Sequence, residues 1–249
     1  MKLLILIFGM IFALGAAPVF AQEAEAEEEE KEPKWVGSLG LAWVATSGNT
    51  DTSSIGLDFG LESKPAPWGF TFAARGNRAE DDGVQTAENY LVSARAIRKL
   101  ADRWDVFGGL AWAKDPFAGF DSQSVASAGA IYTAVDSERH FLTFDMGLAY
   151  TWEDRLPPAE DVDFAGGLFG LSWEWQIGAN SKLVQRLVYL PNFDESADWR
   201  LNSLTAIEAA INEWLALRFG YDIRHRNQPI DEAKSSTDTT STASVVFNF

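Results

Sequence analysis

Side chains along much of this chain alternate in kind with a period of two, over segments long enough to cross a bilayer as tilted strands. In residues 54–62 the odd positions are Ile55, Leu57, Phe59 and Leu61, and the even ones are Ser54, Gly56, Asp58, Gly60 and Glu62. In residues 215–225 the odd positions are Leu215, Leu217, Phe219, Tyr221 and Ile223, with Ala216, Arg218, Gly220, Asp222 and Arg224 between them. Successive side chains of a strand point to opposite faces, so this pattern builds a sheet with one apolar and one polar face. The same template predicts about twelve strands, near 36–46, 53–63, 68–78, 87–98, 104–114, 125–135, 140–151, 164–175, 182–190, 199–210, 214–225 and 238–249. Those near 125–135, 182–190 and 199–210 alternate poorly, and the pattern does not assign their facing.

The connections alternate as well. Short ones fall near 64–67, 99–103, 136–139, 178–181 and 211–213, and longer polar ones near 47–52, 79–86, 115–124, 153–163, 191–198 and 226–237. Short turns at one end, long loops at the other and an even strand count predict an up-and-down transmembrane β-barrel with both termini on the periplasmic side. A soluble barrel would alternate too, but tryptophan placement separates the two. Trp35, Trp68, Trp104, Trp175 and Trp214 lie beside the short turns, and Trp43, Trp112, Trp152 and Trp199 near the long loops. Two rows one strand length apart are expected where indoles settle at both headgroup levels.

The N-terminus sets the compartment. Lys2 is followed by an apolar run over residues 3–17 and then Pro18-Val19-Phe20-Ala21, which predicts a secretory signal peptide over 1–21 with cleavage after Ala21. A retained membrane anchor is the alternative, disfavoured by Pro18 and the small residues at the cut. Residues 22–34 form an acidic, flexible periplasmic segment, and 35–249 the barrel of a Gram-negative outer membrane. A net charge of −16 argues against nucleic acid as partner, and the complete lack of cysteine excludes disulfides, thiolate metal sites and a lipoprotein anchor. The partners this leaves are outer-membrane lipids, lipopolysaccharide and small solutes, with the barrel-assembly machinery during biogenesis. The machinery would read the last strand, where Ala243, Val245, Phe247 and the terminal Phe249 alternate with polar positions.

Several stretches resemble a known family. Gly37-Ser38-Leu39-Gly40-Leu41 followed by Thr46-Ser47-Gly48-Asn49-Thr50-Asp51-Thr52-Ser53 resembles the opening of the salt-induced outer-membrane protein family, a domain of unknown function. Lys114-Asp115-Pro116-Phe117-Ala118-Gly119-Phe120-Asp121 is similar to that family's DRFAGxD-like loop, with Pro116 where Arg is usual, and Trp214-Leu215-Ala216-Leu217 with Asp238-Thr239 and Phe249 to its ending. An aromatic–Arg pair usual after the loop is replaced here by Gln123-Ser124. The resemblance implies an envelope barrel with a tie to salt or osmotic response, and no catalytic residues.

Candidate chemistry lies in the lumen. The less apolar faces supply Asp58, Glu62, Arg75, Asn77, Arg95, Asp105, Asp145, Glu174, Arg218, Asp222 and Arg224. Barrels of eight strands fill their interior and those of about sixteen leave a channel, so twelve lies between. Two readings stay open: a narrow small-solute channel, slightly favoured, and a non-conducting structural or interaction barrel closed by Arg–carboxylate pairs. A lipid-acting enzyme is a distant third. It would need His225 as a base with Ser203 or Ser241 beside it, since the other histidine, His140, sits in a short turn. The acidic stretch Glu153-Asp154 … Glu160-Asp161-Val162-Asp163 lacks the ligand spacing of a calcium loop and reads as solvated surface, so no metal and no cofactor are expected.

Overall fold

The computed structural model describes residues 35–46, 52–65, 67–231 and 235–249. The expected signal peptide and acidic segment lie outside them. Twelve strands are present: β1 (Trp35–Thr46), β2 (Thr52–Ser63), β3 (Trp68–Asp81), β4 (Val84–Ala101), β5 (Trp104–Asp115), β6 (Phe120–Asp136), β7 (His140–Arg155), β8 (Val162–Gln176), β9 (Ser181–Pro191), β10 (Trp199–Ala210), β11 (Leu215–Arg226) and β12 (Thr237–Asn248). Each pairs antiparallel with its neighbours in sequence, and β12 returns to β1 to close the barrel. Closure leaves no free edge for another strand to join. At the seam Ser38 to Leu41 face Asn248 to Val245, and two bonds between Gly37 and Phe249, of 2.8 and 3.0 Å, extend the ladder.

Three boundaries differ from the sequence expectation. The stretch 79–86 is not a long loop: β3 and β4 run on to a two-residue turn in which Asp82 and Gly83 have φ of 48° and 75°. Positive φ at both central residues is the primed hairpin geometry that suits twisted strands. The 115–124 connection shrinks to a single 3₁₀ turn, Pro116–Ala118, capped by the Asp115 side chain, and β7 continues to Arg155. Beyond the apolar band the outer face turns polar, as at Arg78, Glu80 and Glu88, so the period-two contrast disappears while the ladder persists.

Register fixes the facing of every strand. Directly paired residues share a face, and Arg75 on β3 reaches Asp222 on β11 although β2, β1 and β12 intervene. Such a contact can only pass through the interior. Inner positions are therefore even in β1, β2, β8, β9, β10, β11 and β12, and odd in β3 to β7 where the ladders are regular. The opposite face is apolar and bare: Phe219 is 69% exposed and Leu148 66%. Water does not stabilise a continuous surface of this kind, whereas lipid does. All nine tryptophans of the two expected rows belong to this outer surface, joined by Trp173, which stacks with Trp175 and His140.

The three poorly alternating strands now have an explanation. Val125 and Ile131 on β6, Val188 and Leu190 on β9, and Ala206 on β10 point inward, and on β9 and β10 they share the inner face with Lys182, Arg186, Arg200 and Glu208, so neither parity is uniformly polar. Phe107, Ile131, Ala149 and Leu168 form a buried cluster inside the barrel, with Ile97, Val125, Val188 and Leu190 packed against it. One side of the bore is thus filled by an apolar core. Close strand approach beneath it depends on the facing pair Gly129 and Gly147, where an added Cβ would lie 2.3 Å from the Met146 carbonyl and 2.4 Å from that of Ala128.

Candidate functional site

The bore also carries charge, in two tiers. The first lies at mid-strand. Arg75 Nε donates to Asp58 at 2.9 Å and Arg75 Nη1 to Asp222 at 2.8 Å. Arg218 donates to the second oxygen of Asp58 at 3.2 Å and, through Nε and Nη2, to Glu208 at 3.1 and 2.8 Å. Across the bore Arg95 donates to Asp145 at 2.6 Å, with its guanidinium 4.2 Å above the Phe107 ring. Arg75 and Asp58 are the open members, with side chains 39% and 33% exposed, while Asp145 and Glu208 are largely buried.

The second tier sits at the long-loop end, where the carboxylates are buried while Arg224 stays 41% exposed. Glu153, with a side chain 0% exposed, accepts from Arg155 Nε at 2.8 Å, from both Nη groups of Arg226 at 3.0 and 2.9 Å, and from Gln123 at 2.6 Å. Arg200 Nη1 adds a contact of 3.1 Å, and its guanidinium lies 5.0 Å over the Phe164 ring. One carboxylate therefore holds three guanidinium groups brought from β7, β10 and β11. Beside them Asp198 lies 3.5 Å from Arg200 Nη2 and 3.8 Å from Arg226 Nε. Arg224 on β11 donates to Asp115 on β5 at 2.9 Å, a bond between strands on opposite sides of the closed ring.

The eleven lumen candidates all occupy inner-face positions, and the structure brings seven of them into ion pairs: Asp58, Arg75, Arg218 and Asp222 together, Arg95 with Asp145, and Arg224 with Asp115. Glu62, Asn77 and Glu174 stand on the inner face away from these clusters, and Asp105 lies opposite Lys99 across the β4–β5 ladder. Sequence reasoning missed Asp115, Glu153, Arg155, Arg200, Glu208 and Arg226. It placed Glu153 in a solvated acidic loop and Arg226 at the start of another, where the structure has both inside the barrel. The available signal was parity: Glu153 continues the inner series Asp145, Gly147, Ala149, Thr151, and Arg226 continues Arg218, Asp222, Arg224. The rest of the acidic stretch is dispersed, with Asp154 accepting from Ser122, Asp161 from the Arg155 amide and Asp163 from the Tyr150 hydroxyl. Among the described residues no group of His, Asp or Glu is arranged to hold a metal ion.

Both histidines are on the outer face at the tryptophan rows. His140 starts β7 rather than lying in a turn, and stacks on Trp173 and Trp175. His225 packs on Trp199 with its Nδ1 2.8 Å from the Thr237 hydroxyl. Ser203 bonds Gln185 instead of His225.

Residues 39–249 match the family described as protein of unknown function, DUF481. The uncharacterized protein YdiY of Escherichia coli (strain K12) is 25% identical over 251 aligned positions, covering 96% of this chain and 94% of its own length. An outer membrane channel from Pseudomonas putida F1 shares the fold at 11% identity and a TM-score of 0.52, over 91% of this chain and 100% of that one.

Proposed function

Because the chain belongs to the DUF481 family, described only as proteins of unknown function, its role has to be read from the barrel itself, and we propose that it is a narrow outer-membrane channel for small solutes, shut at its outer mouth at rest. One observation carries this reading: in mid-bore the Arg75 and Asp58 side chains are 39% and 33% exposed, whereas the Glu153 carboxylate under the long loops is fully buried. Charged side chains this accessible inside a barrel call for water in the bore, since fully desolvating even a paired ion costs several kcal/mol. The apolar core on one wall narrows the path, and the Glu153 cluster ends it.

In this reading the signal peptide is cleaved near Ala21 and the barrel sits in the outer membrane of a Gram-negative cell, with short turns and termini in the periplasm. The tryptophan rows meet the headgroups, the acidic loops lie among lipopolysaccharide, and Phe249 is presented to the assembly machinery. The barrel performs no catalysis. A link to salt or osmotic stress has a physical route. At about 1 M salt the screening length falls to roughly 3 Å, which weakens the hydrated mid-bore pairs far more than the buried Glu153 cluster.

The competing reading is a non-conducting structural barrel, and the Arg224–Asp115 bond across the full bore favours it. Planar-bilayer recording decides between them. A channel gives small, infrequent openings in the parent protein and more frequent ones in Arg224→Ala/Arg226→Ala. Silence of both proteins at every voltage and salt concentration rejects the channel.

A further inference from the structure

The ladder that closes the ring is short. Among the described residues β1 and β12 are paired only over 38–41 and 245–248, extended by the bonds between Gly37 and Phe249, whereas the shortest other ladder of the barrel has eight pairs. Both strands run on above it. β1 stays paired with β2 as far as Thr46, and β12 with β11 as far as Thr237. Residues 42–46 and 237–244 therefore flank the upper seam with no ladder between them. This gap lies at membrane depth: Thr237 is opposite His225, which packs on Trp199 of the outer tryptophan row, and Ser244 is opposite Arg218 in mid-bore. Hydrocarbon offers an open main-chain edge no partner, so an edge at this level has to line water or meet a polar occupant. The sequence at the gap fits that need. All of 237–244 except Ala243 are Thr, Ser or Asp, so β12 is polar on both faces here, and Thr239 and Ser241 are exposed on the outer one. The other flank is apolar, with Trp43 76% and Ile55 59% exposed.

Behind the gap, Arg75–Asp222 at 2.8 Å and Arg218–Asp58 at 3.2 Å join β3 and β2 on one flank to β11 on the other. A further strand would spread the flanks by about 4.8 Å and break both bonds. The gap is thus a slot into the bore rather than an edge to extend. We propose that it is a lateral portal, by which a small uncharged amphiphile passes between the outer leaflet and the bore. The proposal rests on the wet bore of the channel reading, but not on any opening of the outer mouth, because entry from lipid reaches mid-bore below the Glu153 seal. Unpaired main-chain groups and Ser and Thr hydroxyls are neutral donors and acceptors, which match a hydroxyl, amide or amine head rather than an ion. The four charges behind the slot, two of each sign, are committed to ion pairs, and Asp238 sits near the rim opposite Arg224. Trp43 and Ile55 keep the apolar part of the molecule in lipid while its head enters.

The chain has no cysteine of its own, so Trp43→Cys/Ala243→Cys sets a lone thiol pair across the slot, one step above the last outer pair of the ladder, Leu41 and Val245. Cells producing this barrel are followed for entry of N-phenyl-1-naphthylamine, an uncharged amine that fluoresces in lipid. Entry should be faster than in cells lacking the barrel, lost when the pair is oxidised and regained on reduction, while the parent ignores both reagents. Equal entry through the oxidised and reduced forms overturns the portal, as does a parent no faster than cells without it. Conductance of the same barrels separates the two readings. A silent barrel with redox-dependent entry rejects the conducting mouth alone, and a conducting barrel with redox-independent entry rejects the portal alone. If the variant does not fold or cross-link, hydrogen exchange of the parent in lipid nanodiscs decides. The fastest β12 amides should then lie within 237–244, and uniform protection along β12 means a complete ladder and no slot.

Discussion

Replacing Glu153 by Gln removes one buried negative charge and leaves its surroundings almost the same shape. Three guanidinium groups then face one another, with Asp198 as the remaining carboxylate for Arg200 and Arg226. At about 3 Å and an effective dielectric of about 20, each Arg–Glu153 contact is worth roughly 5 kcal/mol before desolvation and mutual Arg repulsion are counted. Desolvation offsets much of that, and breaking a buried pair by removing one partner costs about 3–5 kcal/mol in practice. Gln can still accept hydrogen bonds and Arg155 can turn towards solvent, so the lower end, about 3 kcal/mol, is expected. That is more than a hundred-fold in the unfolding equilibrium, roughly two decades at 1.4 kcal/mol each. The comparison is Asp222→Asn, which removes a pair whose members are 24% and 39% exposed and should cost under about 1 kcal/mol. Urea titration of the refolded barrel, scored by the heat-modifiable gel shift, measures both. Equal midpoints for the two variants, or no shift in Glu153→Gln, would refute the picture of a dry outer seal over a wet bore.

Four further outcomes are expected. Arg218→Ala/Arg224→Ala removes the guanidinium partners of Glu208 and Asp115 and leaves Asp58 with Arg75 alone, so the reversal potential in a salt gradient should move towards cation selectivity; an unchanged or anion-ward value contradicts it. Phe249→Asp retains the main-chain bonds to Gly37 and should lower folded yield in cells while detergent refolding stays near normal, a split that equal cellular yields would deny. Gly147→Val forces a side chain against the Ala128 carbonyl and should destabilise the barrel by roughly 1–3 kcal/mol or prevent folding, read by the same gel shift. Intact mass should place the mature N-terminus at Gln22, with the protein in the outer-membrane fraction; a soluble periplasmic species would contradict the localisation.

What the sequence determined by itself is the barrel. Alternation of Ile55, Leu57, Phe59 and Leu61 with polar neighbours is a local property of the chain, and its physical cause is local too, because each side chain must choose between lipid and interior. The same holds for the tryptophan rows, which read depth along single strands. The inner positions of Arg75, Asp145 and Arg224 follow from parity for the same reason. Their partners do not. Arg224 is 109 residues from Asp115 and Arg226 is 73 from Glu153, and no spacing rule links residues on opposite walls of a ring. Those pairings depend on strand number, register and tilt, which only closure sets. Closure also decided that β6 and β9 send Val125, Ile131, Val188 and Leu190 inward to the apolar cluster, where a period-two rule sees only a blurred strand. The seal at Glu153 is therefore a tertiary feature: its charge is written in the sequence, but its burial among three guanidinium groups exists only once twelve strands have met end to end.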